Sequence, residues 1–525
     1  WVSQSYFESY ENIKKIKNFL RKHNVNKGDR VFLLSNNRIE WVEFDIAIMD
    51  VGGITVPSFV TNNQNDNAFI IKNSAPKVII LENDEVFKNN KKVLNNYFCP
   101  IITIEKSNYL RSYEDIMTDY SRLDKKNNHK STDISSIIYT SGTTGNPKGV
   151  VLSHKSILHN LEGALEVMND FKIEDEKFFS FLPLSHSYER MAGLYFPILI
   201  NAEIYFCSSM EKLLSEIKEV QPTIFSAVPR LYENIFKKIK SQIVNSNFIL
   251  SFCLRKVFEY LEKKRNRNNF FNISVAKIFI FFLKKKILLI FGGKVKVLVS
   301  GGAALNPEIG FFFNKVGLNL LQGYGQTEAS PLISCNNKIS NNPYTVGIPV
   351  KGVKVKISNT GEILVKGNNL MNGYWKNKKL SNKTIIKGWL HTGDLGEIDN
   401  QGRLLITGRK KDLIVTSGGD NISAIRIENI FLSFNEVSQI LIFGDNRPYL
   451  VALVKINDGY NEKDFKIILD KINKKLNLIE RIRKYIIFKN ELNYANGFMT
   501  QTMKIKRKSV FSFYKKKIDN LYGIL

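Results

Sequence analysis

Along the first half of the chain, short apolar runs alternate with amphipathic stretches. Val31–Leu34 is a strand-like run, Glu40–Met49 carries helical spacing, and Ile54–Val60 is a second β-rich stretch. Further apolar runs predict strands at Val78–Leu81, Ile101–Ile104, Ile134–Tyr139, Thr223–Ala227 and Val295–Ser300, most of them bounded by polar or glycine-bearing turns. Strands separated by helices predict an α/β fold with parallel sheets and covering helices. Near residue 345 the pattern shortens. Val353–Ile357, Gly361–Val365 and Arg403–Ile406, set between glycine turns, predict a small β subdomain, and after Arg409 the pattern becomes mixed again.

Phe248–Phe291 is rich in Phe, Ile and Leu but is interrupted by Lys256, Lys263, Lys264, Arg265, Lys277 and Lys284–Lys286. None of its runs reaches the roughly 18 to 20 uncharged apolar residues that a spanning helix needs. Two readings stand: a helical insertion packed on the protein's own surface, or a basic amphipathic patch that touches membrane.

At 525 residues the chain is too long for a single hydrophobic core, so at least two domains are expected. Its four cysteines, Cys99, Cys207, Cys253 and Cys335, show neither CxxC spacing nor a histidine cluster, which disfavours a zinc site and a disulfide framework and fits a reducing compartment. The net charge of +27 raises the question of nucleic acid, anionic lipid or polyanionic cofactors. Lysine and asparagine are spread throughout, as at Asn89–Lys92 and Asn95–Asn96, so the charge reads as compositional drift and forms no recognisable nucleic-acid reader.

The densest chemistry is Tyr139-Thr140-Ser141-Gly142-Thr143-Thr144-Gly145-Asn146-Pro147-Lys148-Gly149, directly after Ile137–Ile138. A strand here runs into a loop where glycines let backbone amides approach phosphate oxygens, hydroxyls add donors and Lys148 adds a mobile cation. Pro147 stands where the second glycine of a Walker A loop would be, so a P-loop kinase or GTPase is disfavoured. In Gly323–Glu328, glycines flank Tyr324 and suit an aromatic face laid against a purine, while the Glu328 carboxylate makes sense beside phosphates only with a divalent cation between them.

The loop resembles the signature of the adenylate-forming superfamily, which includes acyl-CoA synthetases, luciferases and peptide-synthetase adenylation domains. Further motifs follow in the superfamily's order: Leu182–Arg190, Ser300–Leu305, Gly323–Glu328 and Gly388–Asp394. The resemblance implies that Thr140, Ser141, Gly142, Thr143, Thr144, Gly145, Lys148, Gly302, Ala303, Gly323, Tyr324, Gly325 and Thr327 hold ATP or AMP. It gives Asp394 to the ribose hydroxyls and Arg409 to ribose and phosphate. Glu328 and Thr143 would hold Mg²⁺, and Lys504, Glu328, Thr143 and His186 would serve catalysis. His186 would line the carboxylate end of the acyl pocket, and His391 would be structural. Lys411 would be a hinge, with the Ser417-Gly418-Gly419 turn serving coenzyme A.

The implied architecture is a large N-terminal domain of α/β subdomains plus a small β subdomain (residues 1–410), then a small mobile α+β C-terminal domain (411–525). The implied reaction is attack of an acid's carboxylate on the α-phosphorus of ATP, release of pyrophosphate, then transfer of the acyl group to a thiol with release of AMP. Leu370–Trp375, Val228–Tyr232 and Gly388–Asp394 resemble long-chain fatty acyl-CoA ligases most closely, so a fatty acid and coenzyme A are the expected partners. Acyl carrier protein is the alternative acceptor, and a homodimer stays open. One departure is Gln501 in Thr500–Lys504, where the superfamily often has proline; it affects the rigidity of that loop. Two other classes are disfavoured: a nucleic-acid binder, because the charge is not organised into a recognisable reader fold, and an inactive relative kept for binding, because the charged motif positions are all present. The expected location is the cytoplasm, with peripheral contact on the inner face of the cell membrane as an addition.

Overall fold

Val31, Phe32, Leu33 and Leu34 are apolar in succession because their strand is buried on both faces, as parallel sheets require. In the computed structural model, which describes residues 1–118, 129–140, 147–244, 270–493, 496–499 and 505–523, that strand lies in an eight-stranded sheet. The order is Gly373–Tyr374, Lys148–Ser153, Ile134–Thr140, Ile54–Ser58, Arg30–Leu34, Val78–Leu81, Ile101–Thr103 and Arg111–Ser112. Pairing is parallel from Ile134–Thr140 onward. At the other edge the expected parallel arrangement fails. Lys148–Ser153 runs antiparallel to Ile134–Thr140, with Thr140 opposite Lys148, because the connection is too short for a crossover. Gly373–Tyr374 joins this edge antiparallel as well, with Tyr374 opposite Val150.

A seven-stranded sheet follows, in the order Ile348–Pro349, Leu332–Cys335, Asn319–Gly325, Val297–Ser300, Ile224–Ala227, Lys177–Ser180 and Glu203–Phe206. Its central pairings are parallel, and the register sets Phe178 beside Ile224, Ser226 beside Val299, and Val299 beside Leu321. Since side chains alternate between faces, Phe178, Ile224, Ser226, Val299 and Leu321 share one face. Lys354–Ile357, Glu362–Lys366, Trp389–Ile398 and Leu404–Arg409 build the small antiparallel subdomain expected from the glycine turns. Beyond it, Val437–Phe443, Leu450–Ile456 and Ile482–Ile487 form a three-stranded sheet with helices Ala424–Leu432 and Glu462–Asn473 on a separate apolar core.

The two large sheets are tied through a buried ion pair. Arg190 begins a π-helical turn, Arg190–Tyr195, and its guanidinium pairs with Asp45 of helix Ile39–Asp50. Arg190 Nε donates to the Tyr195 hydroxyl at 2.8 Å, and that hydroxyl donates to Asp45 Oδ2 at 2.7 Å. Trp41 lies under the guanidinium, 5.5 Å from its ring centroid. Leu184 and Leu194 pack into the same core as Trp41 and Phe44, so apolar contact and ion pair act at one place.

Helix Phe270–Ile290 accounts for the described part of the Phe/Lys-rich stretch. Leu283 and Ile287 are buried with Phe291, Phe225 and Phe313, which fits a helix packed on the protein's own core. Phe281, Phe282 and Leu289 face outward. Among the described residues, no helix is long and apolar enough to cross a membrane.

Removing one partner of a buried pair leaves the other charge unpaired, so Arg190→Ala should cost about 3–5 kcal/mol of stability. Arg190→Met combined with Asp45→Leu should recover most of that loss in chemical denaturation. A single variant as stable as the parent would show that the pair does not tie the layers.

Candidate active site

The strand ends of both large sheets converge on a cavity of about 920 Å³. Thr140 and Lys148, the paired ends of the glycine-rich loop, both line it. Ser141, Gly142, Thr143, Thr144 and Gly145 lie outside the described residues. Burial lowers the pKa of Lys148, nearby Lys411 lowers it further, and Glu328 opposes the shift. Lys148 Nζ sits 5.7 Å from the ring centroid of Tyr374.

Tyr374 joins two distant parts of the site. Its hydroxyl donates to Glu328 Oε1 at 2.8 Å, and the Met371 amide donates to the Glu328 carbonyl at 2.9 Å. Strand pairing with Val150 holds Tyr374 beside the strand that Lys148 begins. The sequence offered Tyr374 only as part of a motif phrase; no local pattern signals that a residue 46 positions away would orient Glu328.

Asp394 is nearly fully buried and already bound on both oxygens. The Tyr324 hydroxyl donates to Oδ2 at 2.7 Å, and Arg409 Nε lies 2.7 Å from Oδ1. Burial and then the Asp394 charge push the Tyr324 phenol up. Strand register explains the meeting, since Asp394 lies opposite Arg409 in the antiparallel ladder. A Cβ at Gly325 would fall 2.1 Å from the Pro331 carbonyl oxygen, so glycine is required there, whereas one at Gly323 would meet only ordinary contacts. Glu362 was not foreseen. It accepts from the Gly393 amide at 3.0 Å and sits 3.3 Å from His391 Nδ1, bracing the turn that carries Asp394.

Gly302, Thr327 and His186 also line the cavity, and Thr327 shares a 3.0 Å hydrogen bond with Ser187. Ala303 is exposed and off the cavity wall. The Tyr188 amide donates to His186 Nδ1 at 3.2 Å, which places the proton of the neutral ring on Nε2. Burial pushes the imidazole down to about 4, so His186 is an uncharged donor near neutral pH. Lys504 lies outside the described residues, but Ile505 and Lys506 line the cavity, as do Lys410 and Lys411. Ser417, Gly418 and Gly419 form an exposed turn away from it, with Gly419 at φ +86°.

From this polar end an apolar arm runs along the second sheet. Its floor is the shared face of Phe178, Ile224, Val299 and Leu321; Ala164, Val167 and Met168 of helix His154–Met168 and Met191 of the π-helical turn cover it. Beside the arm, Glu189 accepts from Ser180 Oγ at 2.7 Å, and burial pushes its carboxyl up to about 8. A Cβ at Gly193 would fall 2.3 Å from Glu189 Oε1, so this glycine admits the carboxyl.

The chain belongs to the AMP-binding enzyme family, which matches residues 1–375, and the C-terminal domain of AMP-binding enzymes matches residues 411–524. Among curated relatives it is 28% identical to the long-chain-fatty-acid–CoA ligase FadD15 of Mycobacterium tuberculosis, over all of this chain and 93% of that protein. It is also 28% identical to long chain acyl-CoA synthetase 3 of Arabidopsis thaliana, over 99% of this chain and 87% of the relative. The fold matches the anthranilate CoA ligase AuaEII, solved with anthranoyl-AMP, at a TM-score of 0.77 and 21% identity, covering 96% of this chain and 91% of that one.

The folded protein holds the Glu189 proton up to about pH 8, whereas an unfolded chain holds it only to about 4.5. The associated stability is therefore complete below about 4.5 and is lost as pH rises through about 8. Glu189→Gln mimics the neutral acid. Its melting temperature relative to the parent should rise from pH 5 to pH 8 and then level off; a constant difference would mean that Glu189 is ionised in the folded protein.

Proposed function

We propose that this enzyme is a long-chain fatty acid–CoA ligase. It joins a fatty acid to ATP as an acyl-adenylate, releasing pyrophosphate, then passes the acyl group to the thiol of coenzyme A and releases AMP. The observation that carries this reading is one cavity with two chemistries: Lys148, Glu328, Asp394 and Arg409 at one end and an arm of apolar side chains at the other. An arm of this kind suits a hydrocarbon tail. The names of the curated relatives support the same substrate class.

In this reading Asp394 and Arg409 seat the ribose, Tyr324 lies against the purine, and Lys148 with the glycine-rich loop offsets charge on the phosphates. The neutral His186 donates through Nε2 toward the fatty acid carboxylate, which keeps a second fixed charge out of the arm's entrance. Among the described residues no cluster of three or more His, Cys, Asp or Glu could cage an ion. Glu328, fixed by Tyr374, nevertheless fits Mg²⁺, which takes one or two protein carboxylate or hydroxyl oxygens and completes its shell with substrate phosphates. Glu328 with Thr143 would hold the ion, which would withdraw charge from the pyrophosphate leaving group. Residues 411–525 form the small domain that turns about Lys411 between the two half reactions, with Lys504 acting in the first and the Ser417–Gly419 turn in the second.

A fatty acid should drive conversion of ATP to AMP and pyrophosphate, with thioester formed from coenzyme A in one arm of the assay and from acyl carrier protein in a parallel arm. Lys504→Ala should cripple adenylate formation yet spare thioester formation from supplied acyl-AMP. Release of ADP and phosphate would overturn the adenylation reading.

The reading extends to a membrane contact. Helix Phe270–Ile290 turns Phe281, Phe282 and Leu289 outward beside the exposed Lys285 and Lys286. A basic residue near an anionic surface contributes on the order of 1 kcal/mol. The protein should sediment with anionic liposomes at low salt and not with neutral ones; equal binding to both would exclude an electrostatic contact.

A further inference from the structure

Arg230 belongs to the Val228–Tyr232 run, yet it lines no part of the cavity. It stands at the start of helix Pro229–Val244, and its guanidinium reaches far along the chain. Nη2 lies 3.1 Å from Glu491 Oε1 and Nη1 lies 3.2 Å from Met499 Sδ. Two turns further along the same helix, Lys237 Nζ donates to the Val437 carbonyl at 3.4 Å. One helix thus touches three separate segments of the C-terminal region.

What Arg230 grips is one side of a bridge between two short backbone segments. Met499 is buried and forms an antiparallel bridge with Ile505, and the Lys506 amide donates to the Phe498 carbonyl at 2.8 Å. Ile505 and Lys506, on the far side of that bridge, line the cavity. A single bridge therefore separates the Arg230 contact at Met499 from the cavity wall.

We infer that Arg230 is a positioning residue for adenylate formation: it docks the Met499–Ile505 bridge at the mouth of the cavity. The inference rests on the ligase reading and adds to it the residue that holds the C-terminal region in its adenylating pose. The pair is partly exposed, with 29% and 46% of the two side chains accessible, so its hold is modest. A modest hold suits a contact that must break once per turnover.

The test uses full-length Arg230→Ala, Arg230→Glu, Glu491→Arg and the double variant Arg230→Glu/Glu491→Arg. Arg230→Ala should slow acyl-AMP formation about tenfold, a change of about 1.4 kcal/mol, and leave thioester formation from supplied acyl-AMP and the melting temperature unaltered. Arg230→Glu should lose more, and the double variant should return to within about threefold of the parent, which ties the effect to the pair; the unequal effect on the two half reactions is what a merely structural arginine would not show. Hydrogen exchange supplies a readout independent of catalysis: Arg230→Ala should speed exchange at the Lys506 amide. Equal slowing of both half reactions, parental behaviour in Arg230→Ala, or a double variant no better than Arg230→Glu would overturn the inference. A parent protein that makes no acyl-AMP would sink the ligase reading instead, and the exchange rates alone would then decide the docking.

Discussion

The buried pairing of Arg190 with Asp45 is the constraint on which the rest of the cavity depends. Asp45 sits on a helix of the first large sheet, and Arg190 leads into the π-helical turn of the second. Two ions taken out of water are costly unless their remaining hydrogen-bonding capacity is met; here the Tyr195 hydroxyl bonds to both partners, while Arg190 Nη1 has no hydrogen-bond partner among the described residues. The reward is positional. His186 and Ser187 precede Arg190 and face the polar end of the cavity, while Met191 follows and covers the apolar arm. A shift of this turn would therefore displace both ends together.

The polar end is assembled by side chains that hold each other before any substrate enters. Tyr374 fixes Glu328, Tyr324 and Arg409 fix Asp394, and Glu362 braces the turn at Gly393. Preorganisation of this kind lowers the reorganisation needed when charge develops on a bound phosphate. Any ligand bound by Asp394 would have to share or displace the Tyr324 and Arg409 contacts. The apolar arm makes no such demands. It needs only a continuous face, which parallel register and period-two alternation supply.

Charge is handled differently at the two ends. Lys148 stays at the margin, where burial weakens its charge and Glu328 supports it. His186 and Glu189, deeper in, are both kept neutral near pH 7, one by losing a proton and the other by keeping it. An apolar arm flanked by neutral groups can accept a hydrocarbon without stranding a charge against it.

The chain's order of short apolar runs and glycine turns determined the element types. Strands from Val78–Leu81 to Ile134–Tyr139 were legible because a strand buried on both faces must be apolar throughout. Thr140, Lys148, Glu328 and Asp394 could be picked out in the sequence because glycines, hydroxyls and charges stand close together there, and all four line the cavity. Partnerships were not legible. Nothing near Tyr374 in the sequence points to Glu328, nothing near Arg230 points to Met499, and Asp45 reads as an ordinary acid in a helical segment. Such contacts join residues tens to hundreds of positions apart, so they exist only once strand register and layer packing have been set. The antiparallel edge at Lys148–Ser153 was missed for a related reason. Periodicity reports which face of a strand is buried, whereas direction is decided by the length of the connection and by the neighbour the strand finds.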